Sequence, residues 1–419
     1  MGIDAQAFSK SLPKQLLGRA SGRQALKAID RVARAWSEAN EFGPFYRSEI
    51  PSNEVLNCSF SPLINWIRFD LSSDWVAVGF RSSNTGPGYH AAVIELLDHL
   101  ESELKLSWDW GGAGEMCSDE TGYAVSRNFG DLQYEMVRFF ELLMGHAVEH
   151  NQSNGSFCIP FGLGLDRNAL ACPLGPRPTD WPSQVAEMDG RELASEAASF
   201  FPWWNRERDR KFWESMLLGT LWQNAQWRTP VTEEERHTGV AIAHMNEKLV
   251  SFGTPLAPKL QTALDELAAA IQTDQPPSID GIGYRRGYIA HHPFPGWNVS
   301  LPGYFREIED PEGKAGIFQH DLTVFRISSI TAHRKSDAPF KWPSMLEDVE
   351  TELVGNMQWR KVQPEGDGES FSQFSLLVHE SEDRHDLLML TITTETLKEL
   401  EVLRDWVSRI KFREPKPGR

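Results

Sequence analysis

Two proline-rich breaks divide this sequence into stretches whose apolar residues repeat with different periods. The first break is CPLGPRP at residues 172–178, and the second is QPPS at residues 275–278. Proline fixes its own backbone angle and lacks an amide hydrogen, so such runs interrupt helices and sheets. Because 419 residues also exceed what one ordinary core accommodates, the breaks predict separate modules. These are an N-terminal helical arm (1–48), an α+β module (49–178), a helical module (179–276) and a last module (277–419).

The stretch before the first break combines helix and strand patterns. Leu26, Ile29, Val32 and Trp36 have the spacing of one helix face, which predicts a leading helix over residues 21–40. Short β-type runs predict strands, and longer amphipathic runs predict two more helices, in a ββαββαβ order that is typical of an α+β sandwich. The strands are predicted near 63–69, 75–80, 123–125 and 157–159, and the helices near 93–104 and 131–148.

The middle stretch is predicted to be helical, and the last one alternates strands and helices. The middle helices are expected over about 185–200, 205–226, 232–249 and 258–271. They are similar to a tetratricopeptide-like hairpin stack, although the repeat signature of that architecture is absent. After residue 277, strands are predicted near 288–292, 297–301, 322–330, 371–379 and 387–393, with helices at 342–353 and from Thr394 or Thr396 to Ile410.

The net charge of −17 narrows the choice of partners. A negative field repels nucleic-acid phosphates and anionic lipids, so neither nucleic acid nor membrane is expected, whereas encounter with a basic protein is favoured. No apolar run is long enough for a membrane span or a signal peptide. The four cysteines are scattered without a CxxC pair, which is typical of reduced thiols. A cytoplasmic protein is therefore expected.

The sequence contains 15 Trp but only 7 Tyr, and several of the Trp lie in the middle stretch. Trp203 and Trp204 precede Arg206, and Trp and Arg are frequent anchors of protein interfaces. The run Glu233, Glu234, Glu235 could meet a basic partner. These six residues form a candidate interface. The alternative is that an aromatic stripe at helical spacing belongs to a core.

A second candidate site is the loop cluster of Tyr89, His90, Asp119 and Glu120. The GPGYH sequence at residues 86–90 leads into a helix, where backbone amides can hold an anion and His90 could transfer a proton. If the sheet brought Asp119 or Glu120 next to His90, the carboxylate–imidazole pair would make a minimal hydrolytic site. The alternative is that the glycines only shape a tight turn.

Other signatures of catalysis and metal binding are absent from the sequence. It contains no P-loop, no GxSxG elbow and no HExxH motif. His146 and His150 share helical spacing but lack the further ligands that zinc requires. We therefore expect no metal and no cofactor.

The last third resembles the PsbP/DcrB-like α/β sandwich fold. The resemblance rests on GWNVSLPGYF at residues 296–305, the apolar strand at 322–330, and Trp342 and Trp406. It implies an antiparallel sheet with packed helices over residues 277–419. It also implies a binding module, because this fold occurs in photosystem accessory proteins and in chaperones of type VI secretion effectors.

The first two thirds resemble uncharacterised bacterial proteins associated with polymorphic toxins. The shared motifs are GPGYH (86–90), DETGY (119–123), LGPR (174–177) and WRTP (227–230), in this order. The resemblance implies an immunity protein that neutralises a cognate interbacterial toxin by occlusion. An adaptor or chaperone for a secreted effector and a hydrolase using His90 with Asp119 or Glu120 remain alternatives.

Overall fold

The computed structural model describes residues 3–9, 22–63, 65–72, 75–111, 118–149, 155–157, 169–230, 233–273, 278, 280–303, 305–308, 310, 314–320, 323–333, 340–362, 364–366, 370–381, 383–394 and 403–412. Helices and antiparallel sheets coexist, so the predicted α+β class is confirmed. Contacts divide the described chain into unit 1, up to Gly283, and unit 2, from Tyr284. The arm, the first α+β module and the helical module all fall in unit 1, because they share one apolar core from Ile3 to Leu267.

Unit 1 contains a six-stranded antiparallel sheet with the order β2-β3-β4-β5-β1-β6. The first strand, which the sequence analysis missed, is inserted between β5 and β6. Its alternating residues bury Ala5 and Ala7 on one face and leave Gln6 exposed on the other. The strands are β1 Asp4–Ser9, β2 Arg47–Glu49, β3 Val55–Ser59, β4 Ile67–Leu71, β5 Val76–Arg81 and β6 Trp108–Asp109.

Three long helices accompany this sheet: α1 Gly22–Ala39, α2 Pro87–Leu104 and α4 Phe129–Glu149. Helix α1 contacts β3, β4 and α2, and α2 contacts α4. The apolar face predicted for the leading helix is the face that is buried, through Leu26, Ile29 and Ala33. The strand predicted at 123–125 is wrong, because these residues form the one-turn helix α3 Tyr123–Ser126.

The remaining elements of unit 1 are mainly helical, as the sequence analysis predicted. The helices are α5 Trp181–Ala186, α6 Gly190–Phe200, α7 Arg210–Gln223, α8 Glu233–Ser251 and α9 Pro258–Thr273. Asp189 begins α6 with a reciprocal capping box to Glu192, and Asp209 caps α7 by accepting from the Phe212 amide. A small sheet joins β7 Gly155–Ser156, β8 Ala169–Ala171 and β9 Arg177–Pro178.

Unit 2 is dominated by antiparallel sheets. The larger has the order β12-β13-β14-β19-β18-β16-β15, with β17 beside β18, and the smaller has the order β10-β11-β20. Its core includes Trp297, Trp359 and Trp406. The elements are β10 Tyr288–Phe294, β11 Trp297–Pro302, β12 Arg306–Ile308, β13 Gly316–His320, β14 Thr323–His333, β15 Glu352–Val354, β16 Met357–Lys361, β17 Glu365–Gly366, β18 Phe371–Glu380, β19 Arg384–Thr394, α10 Leu403–Ser408 and β20 Lys411–Phe412.

Two helix predictions in unit 2 are corrected by the structure. The helix predicted at 342–353 is replaced by a 3-10 turn, Ser344–Leu346, and by β15. Gly355 has a φ of 60° and closes the turn that pairs Val354 with Met357. Thr394, predicted to start the last helix, belongs instead to β19, and Thr396 lies outside the described residues.

Across the described residues, every helix is too short or too polar to span a lipid bilayer.

Candidate functional site

A buried hydrogen-bond network centred on His90 joins the loop after β5 to the start of α2. The His90 side chain is fully buried, and its Nε2 lies 3.3 Å from Oδ1 of Asp119. Its Nδ1 lies 3.0 Å from the Ser82 hydroxyl. Because a carboxylate only accepts hydrogen bonds, this geometry places a ring hydrogen on Nε2, and in the neutral ring Nδ1 accepts from Ser82. The structure thus brings together His90 and Asp119, as the hydrolase alternative requires, and adds Ser82.

Asp119 is held by its own loop as well as by His90. Its Oδ1 accepts hydrogen bonds from the Thr121 amide (2.9 Å) and hydroxyl (2.7 Å), and its Oδ2 accepts from the Ala124 amide (2.7 Å). Burial raises the pKa of Asp119, but the hydrogen bond and charge of His90, with these donors, outweigh burial and lower that pKa to about 2. The ionised carboxylate therefore anchors the start of α3, which explains why residues 123–125 are helical.

The network is enclosed by protein rather than open to a cleft. Ser82 and His90 are 0% exposed, and the ring of His90 packs against Phe80 and Tyr123. None of the cavities described below is lined by Ser82, His90 or Asp119. Solvent therefore does not reach the Ser82 hydroxyl in the part of the chain that the structure describes, and the network ties two loops to α2.

The other two members of the predicted loop cluster lie apart from His90. Tyr89 is buried, donates its hydroxyl hydrogen to the Asn65 carbonyl (3.1 Å) and packs on Phe60. Glu120 is exposed, and its Oε2 accepts from the Asp4 amide at 3.1 Å. Glu120 therefore belongs to the sheet edge beside β1, and not to an acid–base pair.

Trp203 is a core residue of unit 1, which removes it from the candidate interface. It is 2% exposed, and its ring contacts Phe42 and Phe212. Its amide donates to the Thr85 carbonyl, and its carbonyl accepts from the Gly88 amide. The backbone of Trp203 therefore holds the GPGYH turn, while its indole packs in the core. Trp204 is only half-buried and stacks on Phe201.

The charged members of the candidate interface have separate internal partners. Arg206 pairs with Glu95 at 2.5 Å on the surface, and Glu233 pairs with Arg236 at 2.8 Å. Glu234, whose side chain is 41% exposed, contacts Arg47 of β2 at 3.2 Å, and the buried Glu235 contacts Arg228 at 2.9 Å. Because the Glu235 side chain is only 5% exposed, it is unavailable to a partner. The six residues therefore do not form one continuous surface.

A different feature, which we call the sheet groove, lies on the outer face of the six-stranded sheet. It is an open depression of about 770 Å³. The outward residues of β1, β4 and β5 line it, and register places Gln6 beside Gly79 and Phe8 beside Ala77. The small Ala77 and Gly79 form the floor, because they leave space where larger side chains would stand.

The two ends of the sheet groove differ in chemistry. At one end, Phe8 meets Trp75 edge to face at 5.3 Å, and Trp75 is 39% exposed. At the other end, Arg81 donates two hydrogen bonds to Asp4 (2.7 and 3.1 Å). That hydrogen bonding raises the pKa of the Arg81 guanidinium, and the charge of Glu120 raises it further. Two carboxylates thus surround one guanidinium, so this end has a negative balance.

The long side of the groove adds a neutral ion pair. Arg68 of β4 donates to Asp70 through Nε (2.8 Å) and Nη2 (2.7 Å). The strands predicted from the sequence did not include β1, so the groove that β1 forms with β4 and β5 was not predicted. The alternation in DAQAFS (4–9) was the available signal, since it places Asp4, Gln6 and Phe8 on one face.

Two smaller cavities, each of about 20 Å³, flank Trp203 and Phe212. Such a volume holds one water molecule and not a substrate. Within the described part of the chain, no three His, Cys, Asp or Glu side chains come together as a metal site would require. Cys58 and Cys172 are buried, and burial raises the pKa of the Cys58 thiol to about 12, so this thiol is unreactive. Cys117 and Cys158 lie outside the described residues.

Comparison with known proteins gives no family for this chain. No protein-family model and no curated protein matches it. Among solved structures, a crystal structure of a protein from Bacteroides thetaiotaomicron VPI-5482 is similar at 14% identity and a TM-score of 0.21. The match covers 30% of this chain and 49% of that protein.

Proposed function

We propose that this chain acts by binding another protein. The observation that supports the proposal most directly is the sheet groove, which is open to solvent and bordered by Phe8, Trp75 and paired charges. Aromatic and arginine side chains are enriched at protein contact surfaces. The His90 network has the residue types of a hydrolase, but it lacks open space for a substrate.

More concretely, we propose an immunity-type protein of the bacterial cytoplasm that neutralises a cognate toxin by covering its active site. The charge distribution supports a basic toxin domain as partner, because residues 1–283 contain 37 acidic residues against 24 basic ones. A negative field of this kind speeds encounter with a cationic protein and favours its orientation.

Co-expression with the products of adjacent genes tests this function. We expect one of them to form a tight complex with the full chain and to lose its toxicity in the co-expressing cells. A chain that binds no neighbour-encoded protein and rescues no growth defect would contradict the proposal.

An adaptor or chaperone for a secreted effector is a second candidate, and the shape of the sheet groove favours it. An open groove along neighbouring strands suits an extended segment better than a folded domain. An adaptor should bind a peptide from the effector with the same affinity as the whole effector. An immunity protein should instead require the folded toxin domain.

The hydrolase alternative rests on the 3.0 and 3.3 Å contacts that link Ser82, His90 and Asp119. Because the three groups are buried, we expect no turnover of ester or amide substrates. Hydrolysis that is present in the wild type and lost in Ser82→Ala, at unchanged free energy of unfolding, would establish this alternative instead.

A further inference from the structure

The outer face of the six-stranded sheet carries its aromatic and acidic features at a fixed separation. Register pairs Asp4 with Arg81 at one end and Phe8 with Ala77 at the other. Four residues of one strand separate the two ends, which corresponds to about 13 Å at the usual rise per residue. Residues four apart in an extended segment point to the same side, so such a segment can reach both ends at once.

The acidic end favours a cation. Asp4 and Glu120 carry two negative charges and Arg81 one positive charge, and the Arg81 side chain is already engaged by Asp4 through two hydrogen bonds. Arg68 is likewise engaged by Asp70. A cation brought to this end would therefore meet a local negative balance within an already acidic unit.

The aromatic end favours an apolar or planar side chain. Trp75 is 39% exposed, packs edge to face with Phe8, and lines the groove together with the small Ala77. Covering this aromatic area removes apolar surface from water, which makes it the energetic anchor of a contact.

We infer that the sheet groove binds an extended segment of a basic partner protein that carries an apolar side chain and a cationic side chain four residues apart. The apolar side chain lies on Phe8 and Trp75, and the cation lies beside Asp4 at the end of the groove that Glu120 adjoins. This inference rests on the proposed binding function and names the surface and the partner chemistry for it.

Two synthetic probe peptides of identical composition test the spacing. Both are Ser/Thr peptides with one Trp and one Arg, which are four residues apart in the first and five apart in the second. Fluorescence anisotropy of labelled peptides against the full chain should show at least about tenfold tighter binding of the first, because only that peptide presents both side chains on one side. Equal binding of the two peptides would overturn the inference.

Matched lysine variants test the location. A side chain at Gly79 fits without strain, because its Cβ would lie 3.6 Å from Gln6, so Gly79→Lys places a cation in the groove of a folded chain. Val240 is 56% exposed on α8, and Val240→Lys makes the same charge change elsewhere in unit 1. We expect Gly79→Lys to abolish the preference for the first peptide and Val240→Lys to keep it. Equal effects of the two variants would show non-specific attraction and overturn the inference.

Two further measurements separate the remaining outcomes. Trp75→Ser changes an exposed residue and should also abolish the preference for the first peptide, which keeps the test valid if Gly79→Lys does not fold.

Sedimentation velocity should show the same mass for the wild type and Gly79→Lys. A wild-type dimer that Gly79→Lys dissociates would assign the groove to a second copy of the chain and overturn the inference. If a neighbour-encoded protein binds wild type and Gly79→Lys equally, the groove assignment fails while the binding function stands.

Discussion

At the scale of single residues, three of the four sequence motifs in unit 1, GPGYH, LGPR and WRTP, are places where a glycine packs against a tryptophan. Gly88 of GPGYH lies against Trp203. A Cβ added to Gly175 of LGPR would lie 3.0 Å from the Trp222 ring. Trp227 of WRTP is fully buried against Gly283. The large Trp content therefore fills the core of unit 1, with glycine providing the space that each indole needs.

Gly88→Ala should destabilise unit 1 by about 3 kcal/mol, because the added methyl group would overlap the Trp203 indole and the Asn205 carbonyl. Gly239→Ala is the matched control, since no atom lies within 4 Å of its Cβ position on α8. The control should stabilise the protein by about 1 kcal/mol through helix propensity. Denaturant unfolding measures the change in the free energy of unfolding of each variant. Equal changes for the two substitutions would contradict the packing of Gly88 against Trp203.

Asp119 should make the free energy of unfolding depend on pH in the acid range. Its pKa is lowered from 3.8 to about 2 in the folded protein, so its stabilising contribution is complete above pH 4 and is lost as the pH falls towards 2. Asp119→Asn should lack this pH-dependent stabilisation. Between pH 4 and pH 2, the free energy of unfolding of the wild type should therefore fall by about 2 kcal/mol more than that of the variant. Urea unfolding at a series of pH values measures both free energies. Glu120→Gln, an exposed change that does not contact His90, should follow the wild type.

At the scale of secondary structure elements, the first turn of α8 shows how one acidic run has several roles. Acidic residues near a helix N-terminus are favourable to the helix dipole. The helix periodicity then separates them: Glu233 faces solvent, Glu234 contacts β2 through Arg47, and Glu235 is buried with Arg228. The run was predicted to face a partner, but rotation by about 100° per residue sends neighbouring glutamates to different surroundings.

Glu235→Ala should cost about 3 kcal/mol of stability, because it removes a 5% exposed carboxylate that pairs with the Arg228 guanidinium at 2.9 Å. Glu233→Ala is the control, and it should cause no measurable change since this glutamate is exposed. Thermal unfolding of both variants checks the difference. A loss of stability in Glu233→Ala as large as that in Glu235→Ala would contradict the assignment.

At the scale of the whole molecule, the chain is organised as two compact units with separate apolar cores. Unit 1 unites the arm, the six-stranded sheet and the helices α5 to α9, because Trp203 and its neighbours bridge them. Unit 2 encloses its own tryptophans between β-sheets. Each core supplies its own stability, so each unit forms a cooperative folding unit.

Calorimetry should therefore show two unfolding transitions. Gly88→Ala should lower the midpoint of one, and Leu390→Ala, which removes a 1% exposed side chain of β19, should lower the midpoint of the other. If both substitutions shifted one shared transition, the proposal of two independent cores would be contradicted.

Local patterns determined the features that depend only on neighbouring residues. The periodicity of Leu26, Ile29 and Trp36 predicted α1, and the limits predicted for the helices at 232–249 and 258–271 lie within two residues of those of α8 and α9. The patterns failed at two segments whose apolar spacing did not reveal the local contact that decides their structure. Residues 123–125 are helical where the Ala124 amide donates to Asp119, and residues 352–354 form an edge strand because they pair with β16 across the turn at Gly355.

The sequence by itself determined the α+β class, the main helices and the residue types of both candidate sites, because these follow from local spacing and chemistry. Only the tertiary structure decided where those residues lie. The register of β1 against β5 creates the sheet groove, and packing buries Trp203 and encloses Ser82, His90 and Asp119. The physical reason is that contacts between residues far apart in the chain depend on strand register and core packing, which local periodicity does not encode.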